Sequence, residues 1–448
     1  MATATQNPTW APHPQAALIV DSAVAKFTDL SPAAAKLRSR MFQETGTNLV
    51  DWIDRLSTDA SASDVESAGY VLDSSRGVGV YRHPQAQLPL LVREYGKQML
   101  AVRVESVVDF LQAHRIDRRC KIFGDTGAAL RRACVECSAD SELWIVERHG
   151  DQGWQPTEVS SDLQQLLAGH DENFRLRNRE FATSAEGFRF AEGLLSEAIS
   201  QLGRDRACDL FFAAERAYWQ YRNDAGQMQK MRQDRLGLGW ANHDHHTYRS
   251  SRNSFPTLIR TLELMGFTCR ERFYAGREAG WGAQVMEQSA SGVVVFADVD
   301  LAPEEVAGDF AHADLQDRPE RGTVGLWCAL HGEAFLQAGM HHLECQFDFQ
   351  EATRQLGSLG VASMKPFTDL PYLRQAFTSG QRWPVEEHAI QNALRAGWID
   401  IEQAKKFREQ GAIGSHLEIL QRQDGYRGFN QHGISDIISQ TDPRKQTT

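Results

Sequence analysis

The chain has 448 residues, 42% apolar and 24% charged, with a formal net charge of −11. That length exceeds one ordinary core and predicts two or three soluble globular domains. The acidic balance argues against nucleic acid or an anionic membrane as the main partner, and no apolar run is long enough to span a bilayer.

The start, MATATQNPTWAPHPQ, is polar and Pro-rich, lacks the apolar core of a signal peptide, and reads as a frayed terminus. Residues 1–150 read as a mixed α/β domain of unknown role. SPAAAKLRSRMFQET is helical, GYVLDSSRGVGVYRHP and LPLLVRE are strands with Gly turns, KQMLAVRVESVVDFLQAHRI is strand then helix, and ELWIVERHG is a later strand. GAALRRACVEC reads as helical, and its Cys134 and Cys137 as buried structural thiols, since no second pair stands at zinc-site spacing. Seven cysteines, few and odd in number, suit a reducing cytoplasm.

Residues 151–235 read as a helical region. FRFAEGLLSEAISQL has apolar positions at helical spacing, and FFAAERAYWQYRNDAGQMQKMRQDRLG reads as one long packing helix. From Leu236 the pattern becomes strand, helix, strands, and then repeats. HDHHTYRSS is a strand, SFPTLIRTLELMG a helix closed by Gly266, and FTCRERFYA, GWGAQVMEQ and GVVVFADVD are strands. The second round runs from MHHLECQFDF through the helix QEATRQLGSLG to the strands VASMKPF, PYLRQAFT and SHLEILQRQ. A helical insertion, PVEEHAIQNALRAG and IEQAKKFREQG, precedes the last strand. The expected fold class is α+β, with paired βαβββ modules over residues 236–448.

Each round opens on histidines. Period-two alternation puts His243, His245, Thr247 and Arg249 on one face of the first opening strand, and His342, Glu344 and Gln346 on one face of the second, with His341 turned away. The closing strand carries Glu418. Two imidazoles and one carboxylate from three strands make the facial triad of non-haem Fe(II) oxygenases. His243 and His341 are spare ligand candidates, because a one-residue slip exchanges neighbours between faces. Glu344 competes with Glu418, and Glu287 is a further carboxylate.

These residues resemble the vicinal oxygen chelate superfamily over roughly the C-terminal half. His245-His-Thr-Tyr-Arg249 followed by LIRTLELMG, Met340-His341-His342-Leu343, and Glu418-Ile-Leu-Gln-Arg422 are similar to motifs of the 2-oxoadipate dioxygenase/decarboxylase (2-hydroxyglutarate synthase) family. Leu373-Arg-Gln375-Ala-Phe-Thr378, Glu418-Ile-Leu-Gln-Arg422 and Gly428-Phe429-Asn-Gln before GISDIISQ resemble 4-hydroxyphenylpyruvate dioxygenase. The chain departs from that second family in having GFNQHG for its Gly-Phe-Gly segment and in the insertion at 383–412. Residues 1–235 show no counterpart.

The resemblance implies an Fe(II)-dependent dioxygenase that oxidatively decarboxylates a 2-oxo acid and hydroxylates it. His245, His342 and Glu418 are the implied metal ligands, Arg249 the carboxylate holder, Gln375 an orienting group, and Phe429 a pocket wall, with Arg374, Gln421 and Asn430 as neighbours. The implied partners are a small 2-oxo acid and O2. One alternative is a redox-neutral isomerase or lyase of the same superfamily with a fourth ligand, Gln284 or Glu287. Others are a non-catalytic binding protein on this fold, and a cupin-like His-x-His site from His243 and His245, which fits the strand–helix order poorly.

Overall fold

Two helices open the chain, α1 (Pro14–Leu30) and α2 (Pro32–Arg40), each begun by a proline whose missing N–H is an orphan there in any case. The computed structural model describes residues 7–117, 119–368, 370–430 and 441–445. Residues 7–13 are docked and not frayed: Asn7 donates to the Arg272 carbonyl at 2.7 Å and Trp10 to Glu271 at 3.0 Å. The segment GISDIISQ lies outside the described residues.

A first βαβββ unit follows: β1 (Ile53–Ser57), α3 (Ala62–Ser67), β2 (Val71–Leu72), β3 (Val80–Arg82) and β4 (Leu90–Val92). A second comprises β5 (Gln98–Val104), α4 (Val107–Ala113), β6 (Ile122–Phe123), β7 (Leu130–Cys137) and β8 (Ser141–Arg148). Strand β7 corrects the helical reading of GAALRRACVEC. Its Ala, Leu and Arg favour helix locally, but pairing with β6 and β8 overrides that preference. Within it Cys134 is half-buried and Cys137 exposed, so the pair is not buried as expected.

Four helices cross to the second half: α5 (Ser161–Leu176), α6 (Ser184–Leu202), α7 (Arg204–Tyr221) and α8 (Asp224–Asp234). The long helix expected over 211–237 is two. It breaks at Asn223, whose side chain leaves the helix pattern to accept the Gly226 N–H at 2.7 Å and start α8.

The third unit is β9 (His243–Arg249), α9 (Phe255–Leu264), β10 (Thr268–Tyr274), β11 (Trp281–Gln288) and β12 (Val293–Asp300). Just past α9, Gly266 has φ 89°, a conformation that a side chain resists. Helices α10 (Pro303–Val306) and α11 (Thr323–His331) lead to the fourth unit. It contains β13 (His342–Gln346), α12 (Phe349–Ser358), β14 (Leu373–Phe377), β15 (Gln381–Trp383), the inserted α13 (Glu387–Arg395) and α14 (Ile401–Gln410), and β16 (Ala412–Arg422). VASMKPF is not a full strand. It runs beside β14, with Met364 donating to the Phe377 carbonyl and Phe367 to that of Gln375, but Pro366 supplies no donor and among the described residues the only ladder bridge is Ser363–Thr378.

The third and fourth units form one sheet in the order β10-β11-β12-β9-β13-β16-β14, with β15 on β16. These are paired βαβββ modules of the vicinal oxygen chelate type. The first and second units form a sheet in the order β2-β3-β4-β1-β5-β8-β7-β6, the same arrangement. Residues 53–148 thus repeat the topology of the C-terminal half, a second pair of modules that the sequence did not show. Their ligand positions differ. The central row across β9, β13 and β16 is His245, Glu344 and Glu418, while the central row across β1, β5 and β8 is Arg55, Ala101 and Trp144.

Alternation divides the C-terminal sheet into a core face and a site face. Tyr248, Leu343, Cys345, Leu417 and Ile419 point into the core packed by α5–α7, α9 and α12. Fully burying each large apolar side chain stabilises the fold by about 1.5–3 kcal/mol. His245, Thr247, Arg249, His342, Glu344, His416 and Glu418 point the other way, toward Phe296, Trp327 and Phe429. No helix among the described residues is long and apolar enough to cross a membrane.

Candidate metal centre

The two opening strands, β9 and β13, lie antiparallel at the centre of the sheet, and β16 lies parallel beside β13. This register places His342 opposite Thr247 and His416, and Glu344 opposite both His245 and Glu418. One ligand atom from each of His245, His342 and Glu418 falls within 4.8 Å of the other two, and all three residues are buried. His342 Nε2 is 3.0 Å from Glu418 Oε2, and His245 Nε2 lies against Glu344 Oε2. Asp244, His245 and Glu344 form a second group with the same spacing.

His243 is not in this group. The ladder steps from His245–Glu344 to His243–Cys345, so two residues of β9 oppose one of β13. That bulge re-aims the strand at Asp244. The His243 ring turns toward the Trp240 carbonyl, 2.8 Å from Nδ1, and toward His246. The expected shared face of His243 and His245, and with it a His-x-His site, is thereby corrected.

Asp244 is the residue that sequence reasoning missed, although it stands next to His245. Its Oδ1 lies 3.2 Å from His245 Nδ1. Arg422 donates to both of its oxygens at 3.0 and 2.9 Å, and Gln346 and Gln87 donate at 3.0 and 2.8 Å. Burial opposes its charge, but the Arg422 guanidinium and His245 hold the carboxyl well below the usual carboxylate range. A carboxylate accepting the Nδ1 proton leaves Nε2 free for a metal. On the other side, His342 Nδ1 is 2.8 Å from His341 Nδ1, and the tautomer in which His341 accepts leaves His342 Nε2 free for a metal. Burial lowers the pKa of His245, His341 and His342, which keeps the imidazoles neutral, the form that binds metal.

Glu344 and Glu418 are both buried, and their charges are unfavourable together. Burial raises both, and repulsion from Glu418 raises Glu344 further; Glu418 is pushed up to about 7. Gln375 donates to both, at 3.3 and 3.1 Å. No guanidinium or ammonium bonds to either among the described residues. Two neutral imidazoles and two uncompensated carboxyls are a donor set that suits a divalent cation. Asp244→Asn is expected to weaken metal binding about 10–100-fold, because the amide accepts the Nδ1 proton less strongly. Competition with a chelator measures this, and unchanged affinity would put Asp244 outside the metal's hydrogen-bond shell.

Arg249 shares the site face. It is buried, its Nε and Nη1 have no hydrogen-bond partner among the described residues, and Nε is 3.8 Å from Asp298 Oδ2. Burial pushes the Asp298 carboxyl up to about 8 despite Arg249, so it is mostly neutral at pH 7. Arg249 is thus a buried cation with unused donors, and its charge is felt at His331, His341, His342 and His416. A carboxyl that holds its proton only in the folded chain contributes stability that is lost as pH rises through its folded pKa. Asp298→Asn is therefore expected to gain stability relative to the wild type as pH rises from about 4 to about 8, and to level off above that. Urea unfolding of metal-free protein measures it, and a constant difference would contradict the assignment.

Phe296 and Phe429 pack on His245 with ring centroids 4.5 and 5.1 Å away, and Phe377 on His342 at 5.1 Å. The two alternative first-module ligands lie elsewhere. Gln284 donates to backbone carbonyls of Glu271 and Val285, and Glu287 pairs with Arg427.

No family model and no curated protein sequence matches the chain. Among solved structures, a mutant of 4-hydroxymandelate synthase from Streptomyces coelicolor is similar at 14% identity, covering 89% of this chain and 99% of its own, with a TM-score of 0.30. Methylmalonyl-CoA epimerase from Mycobacterium tuberculosis is similar at 12% identity, covering 41% of this chain and 88% of its own, with a TM-score of 0.24. At these values the likenesses carry no argument about substrate or chemistry.

Proposed function

We propose that the chain is a non-haem Fe(II)-dependent dioxygenase acting on a 2-oxo acid. The observation that supports it most is the convergence of His245, His342 and Glu418 on the same face as a buried arginine with unused donors. His245, His342 and Glu418 would hold iron(II), which would supply the redox capacity for oxidative decarboxylation coupled to hydroxylation.

The protein's share is binding and orientation. His245 and His342 present neutral Nε2 atoms, oriented through Asp244 and His341. Glu418 presents one oxygen, while Gln375 donates to the other and fixes the carboxylate's rotation. Arg249 receives a substrate carboxylate through two parallel N–H donors, a geometry that a lysine cannot reproduce. Phe296, Phe377 and Phe429 line the histidines and exclude water from the reacting groups. With isotopically labelled O2, label is expected in both the new carboxylate and the new hydroxyl of the product. A product without label would sink the oxygenase reading.

A second reading has one observation in its favour. The contact of Glu344 with His245 offers a fourth protein ligand, the number typical of the redox-neutral members of the superfamily. Turnover without O2, supported by Zn or Mn, would favour it.

A further inference from the structure

A cavity of 770 Å³ lies in the seam between the two sheets. Its wall takes Arg76, Arg82 and Arg103 from the N-terminal half and Arg270, Arg422 and Arg427 from the C-terminal half, and none of His245, His342 and Glu418 lines it. That volume suits a small-molecule site.

The charges in the wall do not balance. Asp244 matches Arg422, and Glu287 matches Arg427. Arg270 is held by Glu271 at 2.7 Å. Asp73, however, serves two arginines, Arg76 at 3.0 Å and Arg82 at 3.3 Å. Asp54 is already taken by Arg148 and Arg55. Arg103, half-buried at the end of β5, feels the Asp54 and Asp209 charges, but Asp209 already pairs with His149, and Arg103 has no hydrogen bond or ion pair among the described residues. Asp51, which accepts the Asn48 N–H, is pushed up to about 7 by burial and offsets only part of the excess. The surplus at Asp73 lies at the solvated rim, on Arg82, while the one at Arg103 sits in a desolvated space, where an unpaired charge is costly.

We propose that this seam cavity is a second ligand site, built jointly by both halves for a small anion of two or more negative charges carried on carboxylate or phosphate groups. Arg103 is its central donor and Arg82 stands at its rim. Guanidinium groups match the planar oxygen pairs of both anion types, so the two sources share one recognition chemistry.

The test is calorimetric titration of the metal-free full chain with inorganic phosphate, pyrophosphate and tricarballylate. Saturable binding of at least one multivalent probe at one site per chain is expected, with acetate failing to compete. Phosphate-selective or carboxylate-selective binding would identify the source. Arg103→Gln is expected to weaken the bound probe about 10–100-fold, the effect of losing charged hydrogen bonds. Arg82→Gln, at a side chain 41% exposed, is expected to fold normally and weaken it by a smaller factor. No saturable binding of any probe would overturn the proposal, as would binding that neither variant changes, which marks an adventitious ion only. Because the protein is metal-free, the outcome is independent of the proposed iron chemistry.

Discussion

Glu418→Ala and His342→Ala are each expected to bind Fe(II) about 10²–10³-fold more weakly and to lose substrate-dependent O2 uptake. Apparent binding free energies of about 10–16 kcal/mol for four-ligand sites amount to roughly 3 kcal/mol per ligand. Glu344, already against His245, is a neighbouring carboxylate that could make up part of that loss, so the lower end of the range is expected if it swings in. The metal-free fold is expected to survive, since both side chains sit on the site face and Glu418 carries an unfavourable buried charge. Glu344→Gln separates the two readings of the centre. The triad reading predicts that iron and O2 uptake are retained, and the four-ligand reading predicts that metal is lost. Metal analysis after anaerobic loading, with thermal unfolding as the folding control, measures all three. Retained iron and uptake in Glu418→Ala would remove Glu418 from the centre.

Arg249→Gln is expected to lower kcat/KM for the preferred acid about 10²–10⁴-fold while leaving Fe(II) content unchanged. Two hydrogen bonds from a cation to a carboxylate are worth about 1.5–3 kcal/mol each. Removing a buried cation usually strands its partner, but the neutral Asp298 carboxyl needs no counter-charge at pH 7, so stability is expected to change little. Arg249→Lys is expected to restore only a minor part, because one ammonium cannot form the paired contact. An unchanged kcat/KM in Arg249→Gln would show that the substrate's carboxylate binds elsewhere.

What could be read from the sequence was what alternation controls. His245, Thr247 and Arg249, or Glu418 within Glu-Ile-Leu-Gln-Arg, keep strict period two, so their shared face follows from spacing. His243 broke the pattern because a bulge at Asp244 shifts the register, and a bulge leaves little mark in residue types. The role of Asp244 depends on Arg422, 178 residues away, and on Gln87 from the other half, so no local pattern could show it. The N-terminal counterpart was hidden for two reasons. Strands such as β2 and β6 are two residues long, and Arg55, Ala101 and Trp144 stand where the other sheet has its donors. Strand β7 was misread because helix-favouring residues are held extended by two neighbouring strands.

The central claim is tested most directly by measuring metal content and O2 consumption together. The protein would be purified without oxygen, loaded with Fe(II), and offered a panel of 2-oxo acids. The predicted result is about one iron per chain and O2 uptake that depends on the acid. Tightly held Zn or Mn with no O2 uptake, or no metal bound at all, would contradict it.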